Sequence, residues 1–346
     1  MSILSGVNNF FGLDIGTNAV RLVQLSGSGP TKSLVKYAYV PLDSNVAVSD
    51  SKHDQQKLMQ IIASLVSQAK LTTKNVAVGL PSNKVLTTVV DIERLPQPEL
   101  AKSLYLQADS LIPTPVSESK IDWALLGDSP VDKTKVEVLL TSVANEYVEQ
   151  RLDMLESIGL NVIAFEPDNL ALARSVLAPT QAAPQMAVNI SSRSTDLVIC
   201  MDGMPRLTRS IPTGTEAIVR AAAQNLNVDD TQAEHFVYKF GMTQDKLEGQ
   251  VYKAIMGTID QLVVELEKSV KFFSARYTDA KLDRIVVTGG ASTIPSFPNY
   301  LANKFGVEIE IGNAWRGVAY AAERQDELLA VSNQFSVAVG LAERTE

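Results

Sequence analysis

The sequence predicts an α/β fold of two lobes related by duplication, with a small β-α-β-β subdomain inserted in the first lobe. Three segments carry that prediction. Residues 11–25 hold two alternating apolar runs around Asp14-Ile15-Gly16-Thr17, the pattern of a β-hairpin with a tight turn. A shift of 175 positions lays residues 188–200 over it, taking Asp14 to Asn189, Gly16 to Ser191, Thr17 to Ser192 and Leu22-Val23 to Leu197-Val198. One supersecondary unit repeated half a chain apart points to a duplicated two-lobe fold rather than a short-period solenoid. Near the end, residues 284–292 read as a buried strand running into Gly289-Gly290.

After the first hairpin, Leu58, Ile61, Ile62, Leu65, Val66 and Ala69 share one face of a helix over 55–71, and residues 74–81 follow as a strand. Residues 81–143 have a different texture. A strand over 84–92, a helix over 99–111 between two proline-rich turns, and strands over 121–126 and 136–143 form the inserted block. A helix over 145–158 closes at Gly159, and strand 161–165 with helix 168–177 completes the first lobe. Residues 178–185 read as a linker. The second lobe, 186–329, adds helices over 216–225, 230–240 and 247–277, so its helical part spans about 216–280. Strands 283–288 and 307–311 then bracket a short helix over 296–305. The first lobe therefore comprises 1–80 and 144–180, joined by a small-residue C-terminal helix within 330–346. The charges Glu265, Glu267, Lys268 and Lys271 read as a solvated helix face.

Composition narrows the function. A chain of 346 residues exceeds one ordinary core, so two lobes are the default. A net charge of −8 leaves no basic footprint for nucleic acid. Cys200 has no internal disulfide partner and reads as core filler in a reducing cytoplasm. His53 and His235 are too few and too far apart for zinc. Residues 1–11 lack a basic stretch followed by an apolar core, so no signal peptide is read, and no apolar run reaches membrane-spanning length.

The two hairpin tips carry the chemistry. Gly16 can take the φ > 0 values of a tight turn, and the N–H groups of Gly16, Thr17 and Asn18 then form an anion nest. Asp14, on the strand before the turn, is placed to hold Mg²⁺ through water. At the second tip, Asn189 replaces the acid, and an amide is the poorer metal ligand. A bound phosphate would survive that change more easily than its hydrolysis would. Gly289-Gly290 lets the backbone lie flat against a base or sugar.

Hairpin, second hairpin and strand-Gly-Gly, in this order, resemble the actin, chaperone and hexokinase ATPase superfamily, a ribonuclease H-like duplication. Residues 162–173, with Glu166-Pro167 leading into a helix, resemble that superfamily's first connecting segment. Leu95-Pro96 before an acidic helix, Ile112-Pro113-Thr114-Pro115, residues 135–140 and 148–159, and the closing run 335–341 resemble the type IV pilus assembly protein PilM family over nearly the whole chain. Insertion of the subdomain before the connecting segment is the PilM and FtsA arrangement. FtsA proteins end in an amphipathic membrane helix, whereas this sequence ends at Ala342-Glu343-Arg344-Thr345-Glu346, which favours PilM.

The resemblance implies a cytoplasmic, actin-like component of a pilus or type II-like secretion platform that binds ATP with Mg²⁺ between its lobes. Gly16, Thr17 and Asn18 would then bond the β- and γ-phosphates, and Ser191, Ser192 and Arg193 would close from the other lobe. Gly289 and Gly290 would lie against adenosine. Asp14 would be the main acid near Mg²⁺, with Asn189 a weak contributor. Glu234 would hold the ribose, or else is a solvated helix residue. Glu166 would orient water, or else caps the next helix. The implied partner is the cytoplasmic N-terminal tail of a PilN-like inner-membrane protein, lying in a groove formed around Leu95, Leu104, Leu111 and Ile112. Other platform proteins and the assembly ATPase are further partners, and the membrane is reached only through them. Three alternatives stay open: a nucleotide-free pseudo-ATPase scaffold, an FtsA-like division protein, and a small-molecule kinase of the same superfamily.

Overall fold

The computed structural model describes residues 9–27, 29 and 31–345. The reading of the start as free of a signal peptide falls mainly on residues 1–8, outside the described residues.

Three antiparallel strands open the chain: β1 (Phe11–Ile15), β2 (Ala19–Ser26) and β3 (Lys32–Pro41). Helix α1 (Ser44–Val48) and helix α2 (Lys52–Ala69) follow. Ser51 caps α2 by accepting from Asp54 N–H, and Leu58, Ile62 and Leu65 bury its predicted face. Strand β4 (Asn75–Leu80) then pairs parallel with β1. The insertion begins here: β5 (Val85–Glu93), α3 (Gln97–Leu111), β6 (Ser119–Asp128) and β7 (Lys135–Ala144), with β7 central in a three-stranded antiparallel sheet. Helix α4 (Asn145–Ser157), β8 (Asn161–Pro167) and α5 (Asp168–Val176) return the chain to the first sheet, where β8 pairs with β4.

The second half repeats the plan. β9 (Gln185–Ile190), β10 (Thr195–Met201) and β11 (Met204–Ile211) are antiparallel. Helices α6 (Thr215–Leu226), α7 (Asp230–Phe240) and α8 (Gln250–Arg276) come next, then β12 (Arg284–Gly289), α9 (Phe297–Phe305) and β13 (Glu308–Ile311). The first sheet reads β3-β2-β1-β4-β8 and the second β11-β10-β9-β12-β13, the same order in each. Strand β14 (Val318–Ala319) extends the first sheet at its β3 edge. The duplication extends to single bonds: Gly16 N–H donates to Ala19 O at 3.1 Å, and 175 positions on Ser191 N–H donates to Ser194 O at 2.9 Å.

Helices α10 (Gln325–Val331) and α11 (Ser336–Glu343) close the chain. The stretch 330–346 is therefore not one helix, as the sequence suggests. A 3-10 turn, Ser332–Gln334, breaks it, because the Asn333 side chain is turned inward to Gly289 O (3.1 Å) and Ser292 Oγ (3.0 Å). Helix α11 is buried from Ser336 to Ala342 and packs on β1, β2, β4 and α5. Contact is close enough that a Cβ on Gly340 would overlap Ala171 O. Helix α5 in turn packs on β9 and β10. One apolar cluster, including Ala171, Leu172, Val176, Ala187, Val198 and Leu341, thus joins the two halves at the base of the cleft. Cys200 lies here, free and buried, and burial pushes its thiol up to about 12. Among the described residues no helix is long and apolar enough to cross a membrane.

Candidate functional site

Above that base, the two hairpin tips face each other across a cavity of about 840 Å³. Asp14, Gly16, Thr17 and Asn18 line it from the first lobe, and Asn189, Ser191, Arg193, Glu234, Gly289 and Gly290 line it from the second. Ser192 does not line the cavity. It donates from Oγ to Glu216 Oε1 at 2.8 Å, while its own carbonyl accepts the N–H of Glu216 at 2.9 Å, so it fastens the start of α6 to the turn.

Gly16 departs from the sequence argument. It is not among the residues with positive φ, so the turn does not need left-handed backbone. A Cβ there would instead stand 3.0 Å from Arg21 Nη1 and 3.1 Å from Ala19 O. The equivalent turn accordingly tolerates Ser191, whose Oγ donates to Ser194 O at 3.0 Å. Gly289 does need its glycine. Its φ is +80°, and a Cβ would overlap Ile190 O and Asn189 Oδ1.

Glu166 is a clear correction. It is 2% exposed and does not line the cavity. Its carboxylate is held by Arg174 and by Arg344 Nη1 at 3.0 Å, and Arg174 Nη1 also donates to Gly340 O at 2.7 Å. Alternation along β8 turns Glu166 beneath α11. The acid that reaches the cavity from this segment is Asp168, at the start of α5, followed by Asn169. Asp168 Oδ1, Asn169 Oδ1 and Thr17 Oγ1 are buried without a partner. Each is a group for a ligand to satisfy.

Two of the four expected partner residues, Leu104 and Ile112, are corrected too. Leu104 is 2% and Ile112 7% exposed, and Leu95 and Leu111 pack against the subdomain's own core with Ile92, Leu100, Val136 and Val138. The i, i+4 spacing that marks Leu100 and Leu104 as an apolar face is the spacing that turns them onto the sheet. Tyr105 and Leu106 are the exposed apolar residues of α3, at 63% and 74%.

Cross-strand partners supply the rest. Opposite Asp14 stands Arg21, and opposite Asn189 stands Asp196. The second hairpin thus keeps a carboxylate but carries it on the neighbouring strand. Arg21 Nη1 pairs with Asp14 Oδ2 at 3.5 Å, and Arg21 Nη2 donates to Asn18 Oδ1 at 3.0 Å. Burial holds Asp14 above the usual carboxylate range although Arg21 pulls it down. Burial also raises Asp196, against hydrogen bonds that lower it. Asp168 is raised furthest, by burial and then by the negative charges of Asp14, Asp196 and Glu166. Among the described residues Asp168 and Asp196 have no ion-pair partner and Asp14 has only Arg21, so the three acids around this cavity suit a hydrated divalent cation. Among the described residues no group of three such ligands is close enough to grip a bare one.

Arg193 crosses the cleft. Its Nη2 donates to Ser44 Oγ at 2.9 Å and Asn45 Oδ1 at 3.0 Å on α1, and it pairs with Glu216 at 3.2 Å. Tyr238, one turn beyond Glu234 on α7, and Asn333 complete the far wall. Sequence reasoning missed Arg21, Asp168, Asp196, Tyr238 and Asn333. Hairpin register would have found Arg21 and Asp196, whereas nothing local marks Asn333.

A duplicated pair of five-strand sheets with hairpin tips facing one polar cavity defines the actin-like class of protein. Solved structures agree. The chain matches ethanolamine utilization protein EutJ from Carboxydothermus hydrogenoformans at 14% identity (TM-score 0.59, 99% of this chain and 91% of that one). It matches MreB 5 of Spiroplasma citri bound to AMPPNP at 12% identity (TM-score 0.57, 96% and 95%). A structure of the PilM-PilN type IV pilus biogenesis complex matches at 25% identity with a TM-score of 0.83, over 97% of this chain and 98% of that one. The family model for type IV pilus assembly protein PilM matches residues 12–346, and the chain belongs to that family.

Proposed function

We propose that this chain is an ATP-binding, actin-like adaptor of the type IV pilus assembly platform that binds the N-terminal tail of a PilN-like inner-membrane protein. The observation that carries the nucleotide reading is the cavity itself: 840 Å³, walled by two like turns and holding partnerless Thr17, Asp168 and Asn169 oxygens. In this reading the N–H groups of Thr17 and Asn18, with Arg21 and Arg193, hold the phosphates, while the Gly16 N–H closes the turn on Ala19 O. Gly289 and Gly290 lie against the adenosine, and Glu234 reaches the sugar. Asp14, Asp168 and Asp196 face the waters of Mg²⁺, which supplies charge neutralisation at the phosphates when bound.

Hydrolysis is slow in this account. Asn189 is no metal ligand of carboxylate strength, Glu166 is engaged elsewhere, and in this reading Asp14, Asp168 and Asp196 face the waters of the cation rather than an attacking water. Turnover is expected below about one per second, under the range of working enzymes. The same substitutions favour a second reading, a scaffold that holds no nucleotide. Mass and absorbance of nucleotide released from the purified, unfolded protein separate the two: ADP or ATP near one per chain supports the adaptor, and none under saturating Mg²⁺·ATP supports the scaffold.

The tail is assigned to the inserted subdomain because that block contributes only a rim to the cavity. With Leu104 and Ile112 turned inward, Tyr105 and Leu106 are the apolar groups of α3 open to an extended peptide. Binding of the tail would hold the chain at the inner face of the cytoplasmic membrane. Leu106→Asp is expected to weaken tail binding tenfold or more, about 1.4 kcal/mol; unchanged affinity, measured by titration with the tail peptide, would move the groove elsewhere.

A further inference from the structure

Beside the cavity, the inserted sheet meets the second lobe through charge. Val136 and Val138 of β7 pack beneath α3 with Leu100 and Leu104, so the intervening Glu137 points to the opposite face. Its direct neighbour on β5 is Asp91. The second lobe presents two guanidiniums and a phenol to this pair of acids. Arg206 Nη1 donates to Glu137 Oε2 at 2.7 Å, and Arg276 Nε to Glu137 Oε1 at 2.8 Å. Arg276 Nη2 donates to Asp91 Oδ1 at 2.6 Å, and Tyr277 Oη to Glu137 Oε1 at 2.7 Å. Glu137 is 1% and Arg206 8% exposed.

The charges balance, two against two. A buried cluster of this kind adds little adhesion over an apolar contact of the same shape, yet losing one member strands the others. It therefore tolerates one relative position of the two bodies and penalises intermediate ones.

The same strands run on to the cavity. Val85, Leu86 and Thr87 of β5 and Thr208, Arg209 and Ser210 of β11 line it, with Thr208 Oγ1 donating to Thr87 O at 2.8 Å between them. Arg209 Nη1 donates to Glu265 O and Ser269 Oγ at 3.1 Å, both on α8, the helix that ends at Arg276. A ligand that shifts β11 against β5 must strain or break the cluster.

We propose that the Asp91, Glu137, Arg206 and Arg276 cluster is a joint that ties occupancy of the cavity to the position of the inserted subdomain. A nucleotide in the cavity and a peptide on the subdomain then alter each other's affinity by the same factor. The inference rests on the reading of the cavity as a nucleotide site. Hydrogen exchange of the full chain with and without Mg²⁺·ATP tests it. In the unmodified chain, nucleotide slows exchange at both hairpin tips and also in β5 and β7, by about fivefold or more. In Glu137→Gln and Arg206→Met, which open the joint from opposite sides, the tips respond as before and β5 and β7 do not. Asp91→Asn, at the more exposed edge of the cluster, perturbs the fold least and diminishes the β5 and β7 response. An undiminished β5 and β7 response in these variants overturns the joint and leaves the nucleotide reading standing. No response at the tips of the unmodified chain overturns both.

Discussion

Glu166 and Asp168 stand two residues apart and do opposite work. The first is an internal counter-ion for Arg174 and Arg344, and the second offers a partnerless oxygen to the cavity. Glu166→Ala would leave two guanidiniums without their acid. Because both keep some contact with water, the expected loss is about 1–3 kcal/mol of stability, read by denaturant unfolding. Nucleotide affinity should be unchanged, and a large fall in it with stability intact would restore Glu166 to the site. Gly289→Ala should act on both quantities. It forces a side chain into left-handed backbone against Ile190 O, costing about 1–3 kcal/mol, and it closes the surface on which the adenosine would lie. Thermal unfolding should fall with the variant, and Mg²⁺·ATP should no longer raise it.

Helix α11 couples these residues to the first sheet. Lys32 Nζ donates to Ala342 O and Arg344 O at 3.0 Å, and Arg174 donates to Gly340 O, so cations cap the helix where its carbonyls run out. Glu343 sits among them beside a second cavity of about 570 Å³, with Lys32, Arg174 and Arg316. Burial outweighs these cations and pushes its carboxyl up from 4.5 to about 7. Between those values the folded chain holds a proton that the unfolded chain releases, so stability falls as pH rises across that window and is level above it. Glu343→Gln should therefore gain melting temperature over the unmodified chain at pH 8 and show no gain at pH 4.5; an equal shift at both would contradict the assignment. The existence of α11 was legible, because Ser336–Ala342 is an unbroken run of small and apolar residues. Its separation from α10 was not, since the break depends on Asn333 bonding to Gly289, 44 residues earlier. The roles of the apolar residues along α3 meet the same limit. Periodicity identifies an apolar face, and it does not say whether that face meets the subdomain's own sheet or a partner.

For the molecule as a whole, the duplication was readable because hairpin pattern is local: a shift of 175 positions carries the bond closing one turn onto the bond closing the other. What the two tips enclose depends on contacts distant in sequence. Arg193 reaching Ser44, Arg206 reaching Glu137 and Thr288 Oγ1 donating to Asn333 O at 2.7 Å join segments 45 to 149 residues apart. Such pairs leave no trace in spacing. The second lobe's acid was missed for the same kind of reason, since Asp196 stands opposite Asn189 across a strand pair rather than along the strand. The central claim is that this cleft, lined by Asp14, Asp168 and Asp196, holds nucleotide with a divalent cation. A crystal structure of the full chain grown with Mg²⁺ and AMPPNP tests it most directly. The account predicts phosphates within hydrogen-bond reach of the Thr17 and Asn18 N–H groups, the base against Gly289 and Gly290, and the cation's waters on the three acids. Nucleotide bound outside the cleft, or a cleft empty at millimolar nucleotide, would contradict it.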